Sequence, residues 1–138
     1  VFDTIGPIRD IPKNARVLDV GAGSGLPGCV IACIRPDIEL ISVELRKKRA
    51  LFLKELYQHL NISGTVICDD IKNVRTDADV ITARAVGQPD DLIKMTQHLA
   101  KEDTIWVLPQ TPCEVVYTGA WHSVEIDHHH YHWWVSRG

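Results

Sequence analysis

The sequence predicts one α/β domain over residues 1–138, built on a mainly parallel sheet with an antiparallel hairpin at its C-terminal end. Short segments rich in β-branched residues alternate with helical or turn segments five times, which is typical of a parallel sheet. After Thr111 the helical period disappears and two strand-like segments remain. A chain of 138 residues, 45% of them hydrophobic, can bury one core but is too short for two ordinary domains.

The first predicted strand, residues 16–20, runs into a turn that has glycine at alternate positions. Its apolar residues are strand formers. Gly21, Gly23 and Gly25 remove the side chains that would keep a ligand away from the backbone. The turn is therefore predicted to bind a cofactor, and the apolar residues 29–34 after it predict a buried helix.

Two glycine patterns overlap in this turn and indicate different cofactors. Gly23-x-Gly25-x-x-Gly28 matches the dinucleotide pattern, in which a pyrophosphate binds at a helix N-terminus. In the other interpretation Asp19 precedes Gly21-x-Gly23-x-Gly25, and its carboxylate would repel a pyrophosphate. We favour this one, because a ligand with an ammonium group and no phosphate, such as the methionine part of S-adenosyl-L-methionine, suits Asp19. Glycines that serve packing alone are the third alternative.

The second predicted strand, residues 38–43, ends at Glu44, 23 residues after Gly21. Ligands of open α/β sheets bind beyond the carboxyl ends of the strands, where an acid at this position can accept both ribose hydroxyls. Alternatively, Glu44 is a solvated carboxylate or a partner for the dipole of the next helix.

An amphipathic helix is predicted over residues 46–60, with four cations in its first turn. Cations at the positive end of a helix dipole cost stability, so these residues are expected to have a role other than helix formation. We interpret that role as binding of RNA phosphates, and simple solvation of the side chains is the alternative. The residues concerned are Arg46, Lys47, Lys48 and Arg49.

Further strands are predicted at residues 65–68, 78–83 and 104–108, a helix at 90–98, and a hairpin at 121–126 and 131–136. Asp69 and Asp70 follow the third strand, where an acid can accept a hydrogen bond from an adenine amino group while the next backbone N–H donates to a ring nitrogen. Helix capping by Asp69 or Asp70 is an equal alternative. Arg84 follows the fourth strand, beside the expected pocket, where a methyl acceptor should approach.

A histidine cluster lies in the predicted hairpin. His128, His130 and His132 would share one face of a strand, but no acid or cysteine completes a metal site, so no metal is expected. A turn followed by a half-exposed polar face is the preferred interpretation.

Charge and composition limit the function classes. A net charge of −3 gives no overall attraction to nucleic acid, and the apolar runs are too short for a membrane helix. The four cysteines form no Cys-x-x-Cys pair, which favours a reducing compartment. We expect a cytoplasmic protein, or alternatively one of an organellar matrix. Because the chain starts at Val1 without methionine, it is expected to be a fragment or a processed form.

Several segments resemble the bacterial small-subunit (16S) rRNA guanine-N7 methyltransferases, also called the glucose-inhibited division protein B family. The likeness covers most of residues 1–108, and the Gly-Leu-Pro-Gly ending of residues 17–28 is much more specific than glycine spacing alone. The family's helical N-terminal extension is absent from this sequence, and Leu108-Pro109-Gln110 replaces its usual Leu-Lys-Gly. The other segments that carry the likeness are residues 2–4, 35–37, 48–49, 52–53 and 83–85.

The resemblance implies a Rossmann-like class I fold that uses S-adenosyl-L-methionine to methylate N7 of a guanine in small-subunit rRNA. It assigns no catalytic residue, because guanine N7 has a free lone pair and needs no general base; positioning supplies most of the acceleration. By the same likeness, Gly21, Gly23 and Leu26 would line the methionine end, Glu44 would hold the ribose, Asp70 and Ile71 would flank the adenine, and Arg84 would face the pocket.

Small-subunit rRNA or the ribosomal subunit is the expected partner, with no membrane involved. A non-catalytic relative that serves as a ribosome-bound structural or assembly component is the alternative, because the region from Pro109 onwards is altered. A methyltransferase for a protein or a small molecule is a third hypothesis.

Overall fold

The computed structural model describes residues 6–84 and 87–136. The strands are β1 (Arg16–Val20), β2 (Glu39–Val43), β3 (Gly64–Ile67), β4 (Ala78–Ala83), β5 (Ala100–Pro109), β6 (Gly119–Ile126) and β7 (His129–Ser136). The helices are α1 (Gly28–Ile34), α2 (Lys47–Leu60) and α3 (Pro89–Thr96), with short 3-10 helices at Ile71–Asn73 and Gln97–Leu99. Residues 2–4 and 85, which carry part of the family resemblance, lie outside the described residues.

The strands form one sheet in the order β3-β2-β1-β4-β5-β7-β6. All pairings from β3 to β5 are parallel, and β7 pairs antiparallel with both β5 and β6. The predicted α/β class, with a mainly parallel sheet and a C-terminal hairpin, is therefore confirmed. Within the described ranges, no helix is long and apolar enough to cross a membrane.

The start of β5 differs from the prediction, because the strand begins at Ala100 instead of residue 104. Ala78 of β4 pairs with Ala100, whereas Val80 pairs with Ile105, so the register shifts between them. Thr104 spans this irregularity by donating its hydroxyl to the Ala78 carbonyl at 2.5 Å and accepting from the Lys101 amide at 2.7 Å. The intervening charged residues are exposed, and their low strand propensity hid this part of the strand.

The core covers both faces of the sheet because successive strand residues point to opposite sides. On one face, Val17 and Leu40 belong to a buried cluster with Ile31 of α1 and Leu53 of α2. The opposite face has a second cluster, formed by residues of the central strands, α3 and the hairpin: Leu18, Ile41, Ile81, Leu92, Ile93 and Trp134. The helices thereby bury the parallel strands on both sides.

Two tryptophans hold β7 in place. Trp133 is buried on one face, and its indole N–H donates to Asp10 Oδ2 at 2.7 Å. Trp134 is buried on the other face, where a Cβ at Gly119 would overlap its ring. The hairpin is therefore packed on both sides at the place where the sheet changes from parallel to antiparallel.

The histidine cluster is divided by the hairpin turn. Asp127 and His128 have φ values of 50° and 65°, in the left-handed region typical of a tight turn. His128 therefore does not share a strand face with the other two, whereas His130 and His132 lie on the same side of β7. The preferred interpretation, a turn followed by a partly exposed polar face, is confirmed.

We expect Leu53→Ala to lower the free energy of unfolding by about 2–5 kcal/mol, because Leu53 is 0% exposed and its truncation leaves a cavity. Leu51→Ala on the same helix is a matched control, since Leu51 is 60% exposed and should change stability by less than about 0.5 kcal/mol. Urea unfolding of both variants measures the difference. Equal losses would contradict the assigned orientation of α2.

Candidate cofactor site

A cavity of about 820 Å³ opens at the carboxyl edge of the parallel strands. The loop after β1, the first turns of α2 and the end of β4 surround it, which is where open α/β sheets bind ligands. Its lining residues are Gly21, Ala22, Gly23, Ser24, Leu26, Lys48, Arg49, Phe52 and Arg84.

Backbone hydrogen bonds fix the glycine loop against β2. The amides of Gly21 and Ala22 both donate to the Val43 carbonyl, at 2.9 and 3.2 Å. Gly23 has a φ of 39°, which is unfavourable for a residue with a side chain. A Cβ on Gly23 would lie 3.5 Å from Arg49 Nη1 and 3.9 Å from Glu44 Oε1. These distances are ordinary van der Waals contacts, so the backbone conformation and not a lack of space favours glycine here.

Asp19 lies beneath the loop and is fully buried. Its Oδ2 accepts a hydrogen bond from the amide of Gly28, at the start of α1, at 2.9 Å. A Cβ on Gly28 would overlap the Asp19 carboxylate, so the contact requires glycine. Burial raises the pKa of Asp19 to about 8, an effect that the hydrogen bond from Gly28 only partly opposes. The predicted contact with a ligand ammonium stays a prediction, and Asp19 is not among the residues that line the cavity.

A row of polar side chains continues from Asp19 across the sheet. Asp19 pairs in register with Ser42 of β2 and Thr82 of β4, and all three are buried. Ser42 Oγ lies 2.6 Å from the hydroxyl of Tyr57 in α2, whereas Asp19 Oδ1 and Thr82 Oγ1 have no hydrogen-bond partner within the described part. A neutral Asp19 reduces the cost of leaving Oδ1 unpaired.

Glu44 is buried, with its side chain 7% exposed, and is not among the residues that line the cavity. Its amide donates to the Ile67 carbonyl at 3.0 Å, and its Oε1 lies 3.9 Å from Arg49 Nη1. This burial rules out the solvated-carboxylate alternative. The predicted ribose contact stays a prediction, supported by the position of Glu44 beside Gly23.

Asp70 caps the 3-10 helix Ile71–Asn73 by accepting from the Lys72 amide at 3.0 Å. Asp69 Oδ1 accepts from the Asp70 amide at 2.7 Å and from Asn73 Nδ2 at 3.0 Å. The capping alternative is therefore confirmed. Neither Asp70 nor Ile71 lines the cavity, and their proposed contacts with adenine stay predictions.

The structure divides the four cations at the start of α2. Lys48 and Arg49 line the cavity, whereas Arg46 and Lys47 do not. Among the predicted glycines, Gly25 faces the protein interior, where a Cβ would lie 3.0 Å from Leu56 Cδ2. Sequence reasoning missed Phe52 as a cavity residue, although its spacing of four from Lys48 places both on one side of the helix.

A second cavity, of about 520 Å³, lies between the end of β4 and the hairpin, and Arg84 lines both cavities. Sequence reasoning did not foresee this cavity. The lining residues of the second cavity are Arg84, Gly87, Gln88, Pro109, Gln110, Thr111, His130, Tyr131 and His132.

Across the described ranges, no group of three or more His, Cys, Asp or Glu could hold a metal ion.

Asp19→Asn is expected to remove a pH-dependent part of the stability. With its pKa raised from 3.8 to about 8, Asp19 binds its proton more tightly in the folded protein than in the unfolded chain. This proton binding contributes its full stabilisation below the pKa of Asp19 in the unfolded chain, 3.8. As the pH rises from there toward 8, the free energy of unfolding falls by about 1.4 kcal/mol per pH unit. Asn retains an oxygen for the Gly28 amide but does not titrate in this range.

Urea unfolding of both proteins between about pH 5 and 9 measures this difference. The free energy of unfolding of the unmodified protein should fall relative to that of the variant up to about pH 8 and run parallel above it. Parallel curves over the whole range would contradict a raised pKa of Asp19.

Comparison with solved structures supports the fold. The chain superposes on the B. subtilis tRNA methyltransferase TrmK with a TM-score of 0.72 at 13% identity, covering 96% of this chain and 64% of that one. It superposes on a ribosomal protein L11 methylase from Lactobacillus delbrueckii with a TM-score of 0.71 at 16% identity, covering 98% and 77%. A Thiobacillus denitrificans SAM-dependent methyltransferase, solved with S-adenosyl-L-homocysteine, gives 0.64 at 21% identity, covering 78% and 46%. These similarities establish a class I methyltransferase fold.

Sequence comparison identifies the family. The chain is 43% identical over 90 residues to the ribosomal RNA small subunit methyltransferase G of Acidothermus cellulolyticus, covering 64% of this chain and 40% of the relative. The protein of the same name from Methylobacillus flagellatus is 30% identical over 110 residues, covering 78% and 53%. This chain thus spans about half the length of these relatives or less. The model of the family described as rRNA small subunit methyltransferase G matches residues 1–136, so the chain belongs to that family.

Proposed function

We propose that this protein transfers a methyl group from S-adenosyl-L-methionine to N7 of a guanine in small-subunit rRNA. The observation that carries the proposal is the cavity between the glycine loop and α2, with the buried Glu44 3.9 Å from the lining residue Arg49. The family of the chain supports the choice of reaction and substrate.

The residues present fit the cofactor. Gly21 and Gly23 expose their backbone to the cavity, and a Cβ at Gly23 would project toward Glu44 and Arg49. Glu44 supplies a carboxylate for the ribose hydroxyls, and the cations of Lys48 and Arg49 suit the carboxylate of the methionine part. Leu26 gives an apolar contact at the same end.

When bound, S-adenosyl-L-methionine supplies a methyl group whose S–C bond breaks with its electrons left on sulfur, while the lone pair of guanine N7 forms the new N–C bond. N7 carries no proton, so the chain needs no general base. Its residues act by holding the two reactants in line and by excluding water, which can supply most of the acceleration.

Local cations have to bind the RNA, because the whole chain carries a net charge of −3. Arg46 and Lys47 are exposed at the start of α2 and do not line the cavity, so they remain available for phosphates. Small-subunit rRNA or the ribosomal subunit is the proposed partner, which places the protein in the cytoplasm or, alternatively, in an organellar matrix.

Glu44→Gln is expected to weaken binding of S-adenosyl-L-methionine by roughly tenfold, because it removes a charged acceptor for the ribose hydroxyls. Glu39→Gln is the matched control: Glu39 lies at the opposite end of β2, exposed and paired with Arg16. Calorimetry with both variants measures the effect. Equal affinities of the Glu44 variant and the unmodified protein would refute the ribose contact.

Gly23→Trp should abolish donor binding, because the indole would fill the cavity. Absence of binding by the unmodified protein would refute the proposed function itself.

Small ribosomal subunits incubated with labelled donor should acquire N7-methylguanine. Donor binding without any label on RNA would instead favour the non-catalytic relative, for which the altered segment from Pro109 onwards is the reason.

A further inference from the structure

We propose that the second cavity is the acceptor site, in which a purine base turned out of an RNA strand stacks on His130 and His132. The inference rests on the proposed function and extends it by naming the residues that hold the acceptor. It assigns a role to the histidine pair, which the donor site does not use.

The hairpin brings these histidines to the edge of the sheet that binds the donor. Because β7 runs antiparallel to β5, its first residues lie beyond the carboxyl end of β5. Pro109 pairs with Trp133, and the next amide, that of Gln110, donates to the His132 carbonyl at 3.2 Å. This hydrogen bond continues the pairing past the end of β5 and fixes His132 beside the carboxyl ends of the parallel strands.

The two cavities adjoin at Arg84, which lines both. Methyl transfer requires the acceptor nitrogen to approach the donor directly, so an acceptor site must neighbour the donor site. A volume of about 520 Å³ lies within the range of roughly 300–1,000 Å³ that small-molecule sites occupy. The cavity therefore has the size and position that a single nucleotide requires.

The imidazole rings provide an aromatic surface for a base. Their centroids are 6.3 Å apart and their planes differ by 20°, so the two rings are nearly parallel. His130 Nε2 lies 3.9 Å from Glu125 Oε2 on the neighbouring strand β6. Unstacked RNA bases are held in this way by aromatic side chains, including histidine.

Polar groups at the end of β5 can read the edge of the base. The side chains of Gln110 and Thr111 line the cavity and offer both donors and acceptors. Gln110 Nε2 donates to Cys113 Sγ at 3.6 Å, which orients the amide and leaves its oxygen for a ligand. The segment that departs from the family's Leu-Lys-Gly therefore forms part of the acceptor wall.

The first test replaces both histidines by alanine and measures methylation of small ribosomal subunits. We expect the kcat/KM for the subunits to fall roughly tenfold or more, while the affinity for S-adenosyl-L-methionine is unchanged. The double variant His130→Phe with His132→Phe should recover most of the loss, because phenylalanine retains a ring for stacking. Unchanged kcat/KM in the alanine variant, equal loss of donor affinity, or failure of the phenylalanine variant would overturn the proposal.

His122→Ala is the matched control. His122 lies on the same hairpin but on the opposite face, where it stacks on Trp133 with ring centroids 5.5 Å apart. Its removal should leave kcat/KM for the subunits within about twofold of the original value, since it lies far from the base. An effect as large as that of the double alanine variant would indicate a general loss of hairpin structure and would overturn the proposal.

A second test does not depend on catalysis. Guanosine 5′-monophosphate is titrated into protein with isotope-labelled histidine, and the ring signals are followed by NMR. Stacking should shift the signals of His130 and His132 and leave those of His122 in place. If the protein methylates no RNA but these shifts appear, the acceptor site stands and the proposed function fails. If the protein methylates RNA without these shifts, the function stands and this inference fails.

Discussion

The hydrogen bond from the Gly28 amide to Asp19 Oδ2 is the contact on which the site depends. It joins the end of β1 to the start of α1 across the glycine loop, so the loop is tied at both ends. The bond exists at this distance only because Gly28 has no Cβ and Asp19 is buried beneath it. The acid and the last glycine of the motif thus form one structural unit, in which burial raises the pKa of the carboxyl group.

Further backbone hydrogen bonds fix the residues along the carboxyl edge of the sheet. The Val43 carbonyl accepts from the first two residues of the loop, and the next amide, that of Glu44, donates to Ile67 at the end of β3. Glu44 is therefore positioned by three strands, although it belongs to none of them. Its buried carboxylate beside Gly23 follows from these bonds, since the side chain leaves the backbone at a fixed point.

The parallel part of the fold could be predicted because its signals are local. Residues 16–20 and 78–83 match β1 and β4 at both ends, since each is a β-branched run with polar or turn residues beside it. Capping by Asp69 or Asp70 was one of two equal alternatives, because an acid before a turn acts on amides only a few residues away. The positions of the glycine loop after β1 and of Glu44 after β2 were predicted correctly, and their contacts with a cofactor stay predictions.

The hairpin site could not be predicted because its position depends on contacts distant in sequence. Trp133 is held by Asp10, 123 residues earlier, and no local pattern indicates that pairing. Without it, the sequence cannot show that His130 and His132 lie beside Arg84. The function of Asp19 was likewise hidden, since a motif shows that an acid is present but not which way its carboxyl group points.

Because β7 is attached at the outer side of β5, substitutions in the hairpin can alter one cavity without altering the other. The first cavity is lined by the loop after β1, α2 and Arg84, and among the described residues Arg84 alone also lines the second cavity beside the hairpin. Substitutions in residues 110–132 can therefore reshape the second cavity while every hydrogen bond of the glycine loop is retained. Under the proposed assignment of the two cavities, this division makes the hairpin an interchangeable module, through which one methyl-donor scaffold can acquire different acceptors.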